Sequence, residues 1–162
     1  LRDRFGIPLQ LNFYEPNDLM KIILLGAEKL KTKIGEKPAY QIAVRSRGTP
    51  RIAIRLLKRI IDFSVVQNLD EISIDIVEES LKKMRIDSEG LDDMDRKYLK
   101  CISDDYNGGP VGIETLSAAL LEQKDIIEDV IEPYLMQKGL VQRTSRGRIL
   151  SKKGFNHIQS SY

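Results

Sequence analysis

Leu140-Val141-Gln142-Arg143-Thr144-Ser145-Arg146-Gly147-Arg148-Ile149-Leu150-Ser151 is the stretch on which the fold of this chain turns. It reads as two short strands, Leu140 to Thr144 and Arg148 to Ser151, around a turn at Ser145-Arg146-Gly147. Gly147 supplies the positive φ that a tight hairpin turn requires. Upstream, Asp125 to Gln137 reads as a helix, and so does Ile113 to Leu121. Before them, Asp92 to Asp104 places Met94, Tyr98, Cys101 and Ile102 on one face at helical spacing. Asn107-Gly108-Gly109-Pro110 ends that helix.

Three helices followed by a two-stranded hairpin is the order of a winged-helix domain, a relative of the helix-turn-helix. The polar stretch Asp87-Ser88-Glu89-Gly90 precedes it and reads as a domain boundary. Further upstream the pattern is helical again. A helix opens after Tyr14-Glu15, with Pro16 in its first turn and Leu19, Ile22, Ile23, Ala27 and Leu30 on one apolar face. Pro38 to Arg45 is a short helix, and Pro50 opens another that turns Ala53, Leu56, Leu57, Ile60 and Ile61 inward. A fourth runs from about Asp75 to Met84, with Asp75 and Glu78 spaced as a capping box and Ile76, Val77, Ser80 and Leu81 on one face. Four short amphipathic helices without strands predict a small bundle. The fold class expected is mainly α, a four-helix domain followed by a winged helix.

Composition narrows the class. Of 162 residues, 41% are apolar and 31% charged, which suits a globular domain or two. No apolar run is long enough to span a membrane. No signal peptide is visible, and the opening Leu rather than Met suggests an excised or processed segment. The one cysteine, Cys101, rules out an internal disulfide and fits a cytoplasmic setting. The net charge of +2 is unevenly spread. Residues 87–132 carry 4 basic and 13 acidic side chains, whereas residues 133–162 carry six basic and no acidic ones. Such polarity suits either a nucleic-acid-binding module or a solvated tail.

Catalytic constellations are scarce. His157, the sole histidine, has no evident partners for metal or acid–base work. Cys101 lies on an apolar helix face with no histidine base, which points to core packing. No GxxxxGK[ST] phosphate loop occurs in these residues. The carboxylates fall on helix faces and read as solvated. Two places stand out instead. Ser46-Arg47-Gly48-Thr49-Pro50-Arg51 puts an arginine in the first turn of a helix, against the macrodipole. That arrangement aims Arg51 at an anion, which helix N–H groups also favour, or leaves it pointing into water. On the hairpin, Arg143, Arg146 and Arg148 cluster around the turn, with Lys152 and Lys153 just beyond. Basic groups on a protruding wing suit phosphates or a minor groove, or else protect a sheet edge.

Longer motifs decide between these readings. Ser46-Arg47-Gly48-Thr49-Pro50-Arg51 resembles the sensor 2 segment of the AAA+ ATPase lid in the form used by the RuvB family of Holliday junction motors. Leu1-Arg2-Asp3-Arg4-Phe5-Gly6-Ile7 looks like the end of the AAA+ large domain in that family. Phe13-Tyr14-Glu15-Pro16, Gly108-Gly109-Pro110-Val111-Gly112-Ile113-Glu114-Thr115-Leu116, Ile127-Glu128-Asp129-Val130-Ile131-Glu132-Pro133-Tyr134-Leu135 and Gln142-Arg143-Thr144-Ser145-Arg146-Gly147-Arg148 are similar to it as well.

The resemblance implies an end of the AAA+ large domain over residues 1–13, a lid over 14–88 and a winged-helix domain over 89–162. It implies that Arg51 meets ATP bound in its own subunit and that Tyr14 lies near the nucleotide. It makes Arg4 the arginine finger serving a neighbouring subunit, Arg2 being the less favoured match. A planar guanidinium suits that grip on phosphoryl charge. Arg143 and Arg148 match DNA-contacting arginines, with Arg146 and Lys124 as further candidates. Where the family commonly carries an arginine, this chain has Lys124, which excludes a bidentate contact there. Asp125, Glu128, Asp129 and Glu132 make the third helix acidic, which favours DNA contact through the wing over major-groove reading. The implied whole is an ATP- and Mg2+-dependent motor of recombination and repair. It would be a homohexamer on duplex DNA at Holliday junctions, working with RuvA and RuvC. These residues alone, without a phosphate loop, are expected to be inactive. The rival readings are a winged-helix transcription regulator, which would need a base-reading recognition helix, and a helical interaction protein, which leaves both arginine motifs unexplained.

Overall fold

The structure, a computed structural model, describes residues 12–160, the side chain of Ser160 excepted. They form two compact units that divide between Gly90 and Leu91. Residues 1–7, on which Arg2 and the finger candidate Arg4 fall, lie outside the described residues. No described helix is long and apolar enough to cross a membrane.

The first unit is built on four helices, α1 (Pro16–Lys29), α2 (Glu36–Val44), α3 (Pro50–Val66) and α4 (Ile74–Lys83). Proline stands in the first turn of both α1 and α3, where its missing N–H costs no helical bond. The helices meet around Leu19, Ile23, Ile42, Leu57, Ile60 and Leu81, all essentially inaccessible. This agrees with the inward set that the apolar spacing defines, except that Ile22 and Ile61 are only partly buried and Leu30 is exposed. Leu30 is 42% exposed because it caps α1 rather than continuing its inner face.

Two details differ from the sequence reading. The unit is not free of strands: β1 (Lys33–Ile34) and β2 (Glu71–Ile72) pair in parallel, and Ile72 reaches the core. Two-residue strands carry no period that a sequence window can detect. The expected capping box of Asp75 and Glu78 is also absent. Ser73 is the N-cap of α4, its hydroxyl accepting from the Ile76 N–H, and Glu78 pairs with Arg45 instead. Serine is as good a cap as aspartate, so a shift of two residues costs the helix little.

The second unit starts at α5 (Asp93–Lys100), which is fixed by a reciprocal capping box. Asp92 Oδ1 accepts from the N–H groups of Met94 and Asp95, and Asp95 Oδ2 accepts from the Asp92 N–H. A π-helical turn, Cys101–Asp105, extends it. Then follow α6 (Ile113–Leu120), α7 (Lys124–Ile126), a second π-helical stretch (Ile127–Ile131) and α8 (Glu132–Gln137). The last three run on from one another as the third helix of the unit. Pro133 sits inside it, in the first turn of α8.

The hairpin pairs β3 (Val141–Thr144) with β4 (Gly147–Leu150), Arg143 opposite Arg148. Gly147 has φ +133, and a Cβ there would lie 2.4 Å from the Val111 carbonyl oxygen. Val111 needs that closeness, because it trades two main-chain hydrogen bonds with Arg148 and widens the hairpin by one bridge. A final helix, α9 (Lys152–Ser160), was not expected; its partly buried Phe155 and Ile158 pack on the core of this unit. Lys152 and Lys153, just beyond the hairpin, open this helix, and Lys153 Nζ donates to the Lys138 carbonyl.

Candidate functional site

The turn between α2 and α3 is held from several sides. Ser46 is fully buried and its hydroxyl donates to the Ile42 carbonyl at 2.6 Å. The Thr49 N–H closes the turn on the Ser46 carbonyl, and Thr49 stands at the N-cap position of α3 without a side-chain capping bond. Arg51 therefore projects from the first turn of a helix, on an exposed position. It borders an open groove with Leu30, Ile54, Arg55, Lys58 and Arg59. Tyr14 is brought to the same turn by its N–H, which donates to the Gly48 carbonyl at 2.9 Å. Its ring is half exposed. An exposed guanidinium, the free amides of a helix N-terminus and an aromatic face fit a nucleoside phosphate.

Arg45 and Arg47 behave differently. Arg45 is buried and spends its guanidinium on the Gln41 side chain and carbonyl, on Glu78 and on the Asp87 carbonyl. Arg47 donates from Nε to the Gly90 carbonyl at 3.1 Å.

The hairpin divides its arginines in the same way. Arg146 is exposed at the tip of the turn. Arg148 points inward: its side chain is 8% exposed, with Nε donating to Glu132 at 2.8 Å and Nη2 to Glu128 at 2.6 Å. Arg143 stands between these extremes, half exposed, with Nη2 reaching Glu132 at 2.6 Å and Glu128 at 3.1 Å. The Tyr98 hydroxyl donates to Glu132 at 2.9 Å. Glu132 itself is 1% exposed, so it is not the solvated helix-face carboxylate that its sequence context suggests. Nothing in the local pattern marked it, because its partners come from β3, β4 and α5.

Burial pushes the Glu132 carboxyl up, but the hydrogen bonds from Arg148, Arg143 and Tyr98 outweigh it and hold the group below its usual range. Burial and the neighbouring Glu132 charge push the Tyr98 hydroxyl far up, so it stays a donor. Burial alone would lower Arg148, yet its bonds to Glu132 and Glu128 raise it. The network is charged, with Glu132 and Arg148 buried at its centre and Arg143 and Glu128 at its solvent edge. Lys124 lies apart from it, exposed and paired with Glu114.

Burial, with a hydrogen bond to Asp105, pushes the buried Cys101 thiol up to about 11, which fits packing and not nucleophilic chemistry. Among the described residues, no cluster of His, Cys, Asp and Glu is arranged to hold a metal ion.

Comparison with known proteins agrees with both halves. The model of the RuvB AAA lid domain matches residues 14–87, and that of the RuvB C-terminal winged helix domain matches residues 88–159. The Holliday junction branch migration complex subunit RuvB of Paramagnetospirillum magneticum is 51% identical over 158 residues, which cover 98% of this chain and 46% of that protein. Its counterpart in Granulibacter bethesdensis is 53% identical, over 98% of this chain and 44% of that protein. The solved structure of the Thermotoga maritima RuvB Holliday junction branch migration motor superposes with a TM-score of 0.94 at 47% identity, over 98% of this chain and 53% of that one. The chain thus spans about half the length of the relatives it matches. Fold and sites together define a AAA+ lid joined to a winged helix. Within that class, the chain belongs to the RuvB family.

Proposed function

We propose that this chain is the lid and winged-helix part of an ATP-driven motor subunit that moves Holliday junctions in recombination and repair. The observation that carries this reading is the pairing, in one chain, of an exposed arginine in the first turn of a proline-started helix with an arginine-bearing hairpin. A transcription regulator would need a polar, base-reading third helix. Residues 124–137 instead expose Asp125 and Asp129, with Glu128 partly open to solvent.

In this reading, ATP with Mg2+ supplies the phosphoryl chemistry when bound. Arg51 holds the terminal phosphates from the same subunit, and Tyr14 lies against the nucleotide. Arg4 serves the site of the neighbouring subunit in a homohexamer. Residues 1–13 belong to the large domain, 14–88 to the lid and 89–162 to the winged helix. The lid reorients with the nucleotide state and carries the winged helix along duplex DNA, in concert with RuvA and RuvC. Taken without a phosphate loop, these residues do not hydrolyse ATP. The setting is cytoplasmic.

On the hairpin, Arg146 and Arg143 meet DNA phosphates first. Arg148 joins only if Glu128 and Glu132 release it, and Lys124 adds a single point charge. Salt dependence of DNA binding tests this. Each phosphate contact steepens the slope of log K against log salt by about 0.9. Replacing Arg143 and Arg146 by alanine is expected to flatten the slope by about 2, equally on unrelated duplex sequences. An unchanged slope would remove the hairpin from the DNA interface.

A further inference from the structure

We infer that Arg47 is a positioning residue that couples the nucleotide-facing turn to the point where the chain leaves the first unit for the second. The inference rests on the reading above, in which Arg51 meets ATP and the second unit meets DNA.

The geometry is local and lies wholly within the first unit. Asp87 to Gly90 is itself a closed turn, because the Gly90 N–H donates to the Asp87 carbonyl at 3.1 Å. Both of its ends are held by arginines from the turn that presents Arg51. Arg45 Nε donates to the Asp87 carbonyl at 3.3 Å, and Arg47 Nε to the Gly90 carbonyl at 3.1 Å. A second observation is independent of those bonds. Gly90 has φ +78, and a Cβ there would lie 2.9 Å from the Arg45 carbonyl oxygen and 3.1 Å from its Cα. The exit turn thus seats directly on the backbone that leads into the sensor segment, and only glycine permits that seating.

The turn on the other side is stiff. Only Gly48, Thr49 and Pro50 separate Arg47 from Arg51, and Pro50 has a fixed φ. The Gly48 carbonyl meanwhile holds the Tyr14 N–H, so the entry to the unit, the phosphate-facing arginine and the exit share one turn. Arg47 itself keeps φ +53, a conformation that a residue with a Cβ adopts at a cost. Holding an arginine there makes sense when its side chain has a task that glycine cannot perform. A displacement of Arg51 on nucleotide hydrolysis then moves Gly90, and with it the attachment of Leu91 and all that follows.

The test uses the full-length motor subunit with its partner subunits on a junction substrate. ATP turnover, junction movement and thermal melting are measured for Arg47→Ala, Arg47→Gly and Arg47→Lys. Arg47→Ala is expected to keep kcat and KM for ATP while junction movement per ATP falls about fivefold or more, the lower end of usual coupling between sites. Arg47→Lys, which retains a donor, is expected to recover part of the movement. Arg47→Gly suits the positive φ, so it keeps the turn and carries the test should the alanine variant melt early. Turnover and movement falling in parallel in Arg47→Gly, or movement unchanged, would overturn the coupling role. Arg51→Ala separates the two ideas. Loss of turnover there, with no uncoupling by Arg47→Gly, removes only the coupling; normal turnover in Arg51→Ala removes the nucleotide reading of the turn itself.

Discussion

The α2–α3 turn and the hairpin each hold three arginines, and each assigns them in the same way. One projects, Arg51 or Arg146; others are tied down, Arg45 and Arg47 in the first unit, Arg148 and partly Arg143 in the second. The anchors differ in kind. In the first unit the acceptors include the neutral carbonyls of Gln41, Asp87 and Gly90 beside the carboxylate of Glu78. In the second they are the carboxylates of Glu128 and Glu132. Carbonyls do not titrate, and phosphate does not compete with them as a like ion would. The lid turn is thus held in part by groups that do not titrate, whereas the hairpin arginines are held by carboxylates, which protons can address and, in the proposed function, DNA phosphates can replace.

The largest effect expected from this contrast is on stability. Removing one partner of a buried ion pair typically costs about 3–5 kcal/mol, because the remaining charge is left desolvated. Glu132→Ala strips Arg148, Arg143 and Tyr98 of their shared acceptor and is expected to destabilise the second unit by an amount of that order. Glu78→Ala removes only a half-exposed carboxylate from Arg45, which keeps its carbonyl acceptors. Its expected cost is about 1 kcal/mol or less. Chemical denaturation followed by hydrogen exchange at amides of each unit reads both. Equal costs would erase the distinction between the two regions.

Acid sharpens the same comparison. The carboxyl of Glu132 is held below its ordinary value of 4.5 in the fold. A depressed carboxylate contributes stability that is present above the unfolded value and is lost as pH falls through the folded one. The second unit is expected to lose protection below about pH 4.5, with Arg148 left facing a neutral acid. Glu132→Gln should show less of that loss while starting from lower stability. Thermal melting from pH 7 to 3, read in each unit, checks it; an acid response confined to the first unit would contradict the assignment.

What was legible in the sequence was whatever repeats or caps locally. The period of Leu19, Ile23 and Ala27, the proline at the start of α3 and the glycine in the hairpin turn each act within a few residues. The exposed positions of Arg51 and Arg146 follow from a proline-started helix and a hairpin turn. The buried network was not legible, since Glu132 reads as one more acid on an acidic helix until Arg143, Arg148 and Tyr98 are folded onto it. For the same reason, Arg148 looks like a wing arginine in the sequence and proves to be a core one in the structure. Helix α9 was not legible because Lys152 and Lys153 read only as basic charge beyond the hairpin, and the partly buried Phe155 and Ile158 need the core they cover.

The smallest effect concerns Glu128, the only carboxylate of the network that is substantially open to solvent, at 37%. It accepts from Arg143 at 3.1 Å and from Arg148 at 2.6 Å, much as a phosphate would accept from both. In the proposed DNA-bound state it is thus a rival for the same guanidinium groups. Because Glu132 remains to satisfy them in the free chain, Glu128→Gln should leave the fold intact. It is expected to raise DNA affinity at low salt by roughly three- to tenfold, the equivalent of about 1 kcal/mol. Any lost negative charge near DNA helps a little, so the control is Asp129→Asn, next along the helix and exposed, which holds neither arginine. The two variants carry the same net charge and differ only in whether an arginine is released. Released arginine should also steepen the salt slope by about 0.9 for each new phosphate contact. A gain in Glu128→Gln no larger than in Asp129→Asn, with equal slopes, would mean that Arg148 stays buried when DNA binds and that the hairpin works through Arg143 and Arg146 alone.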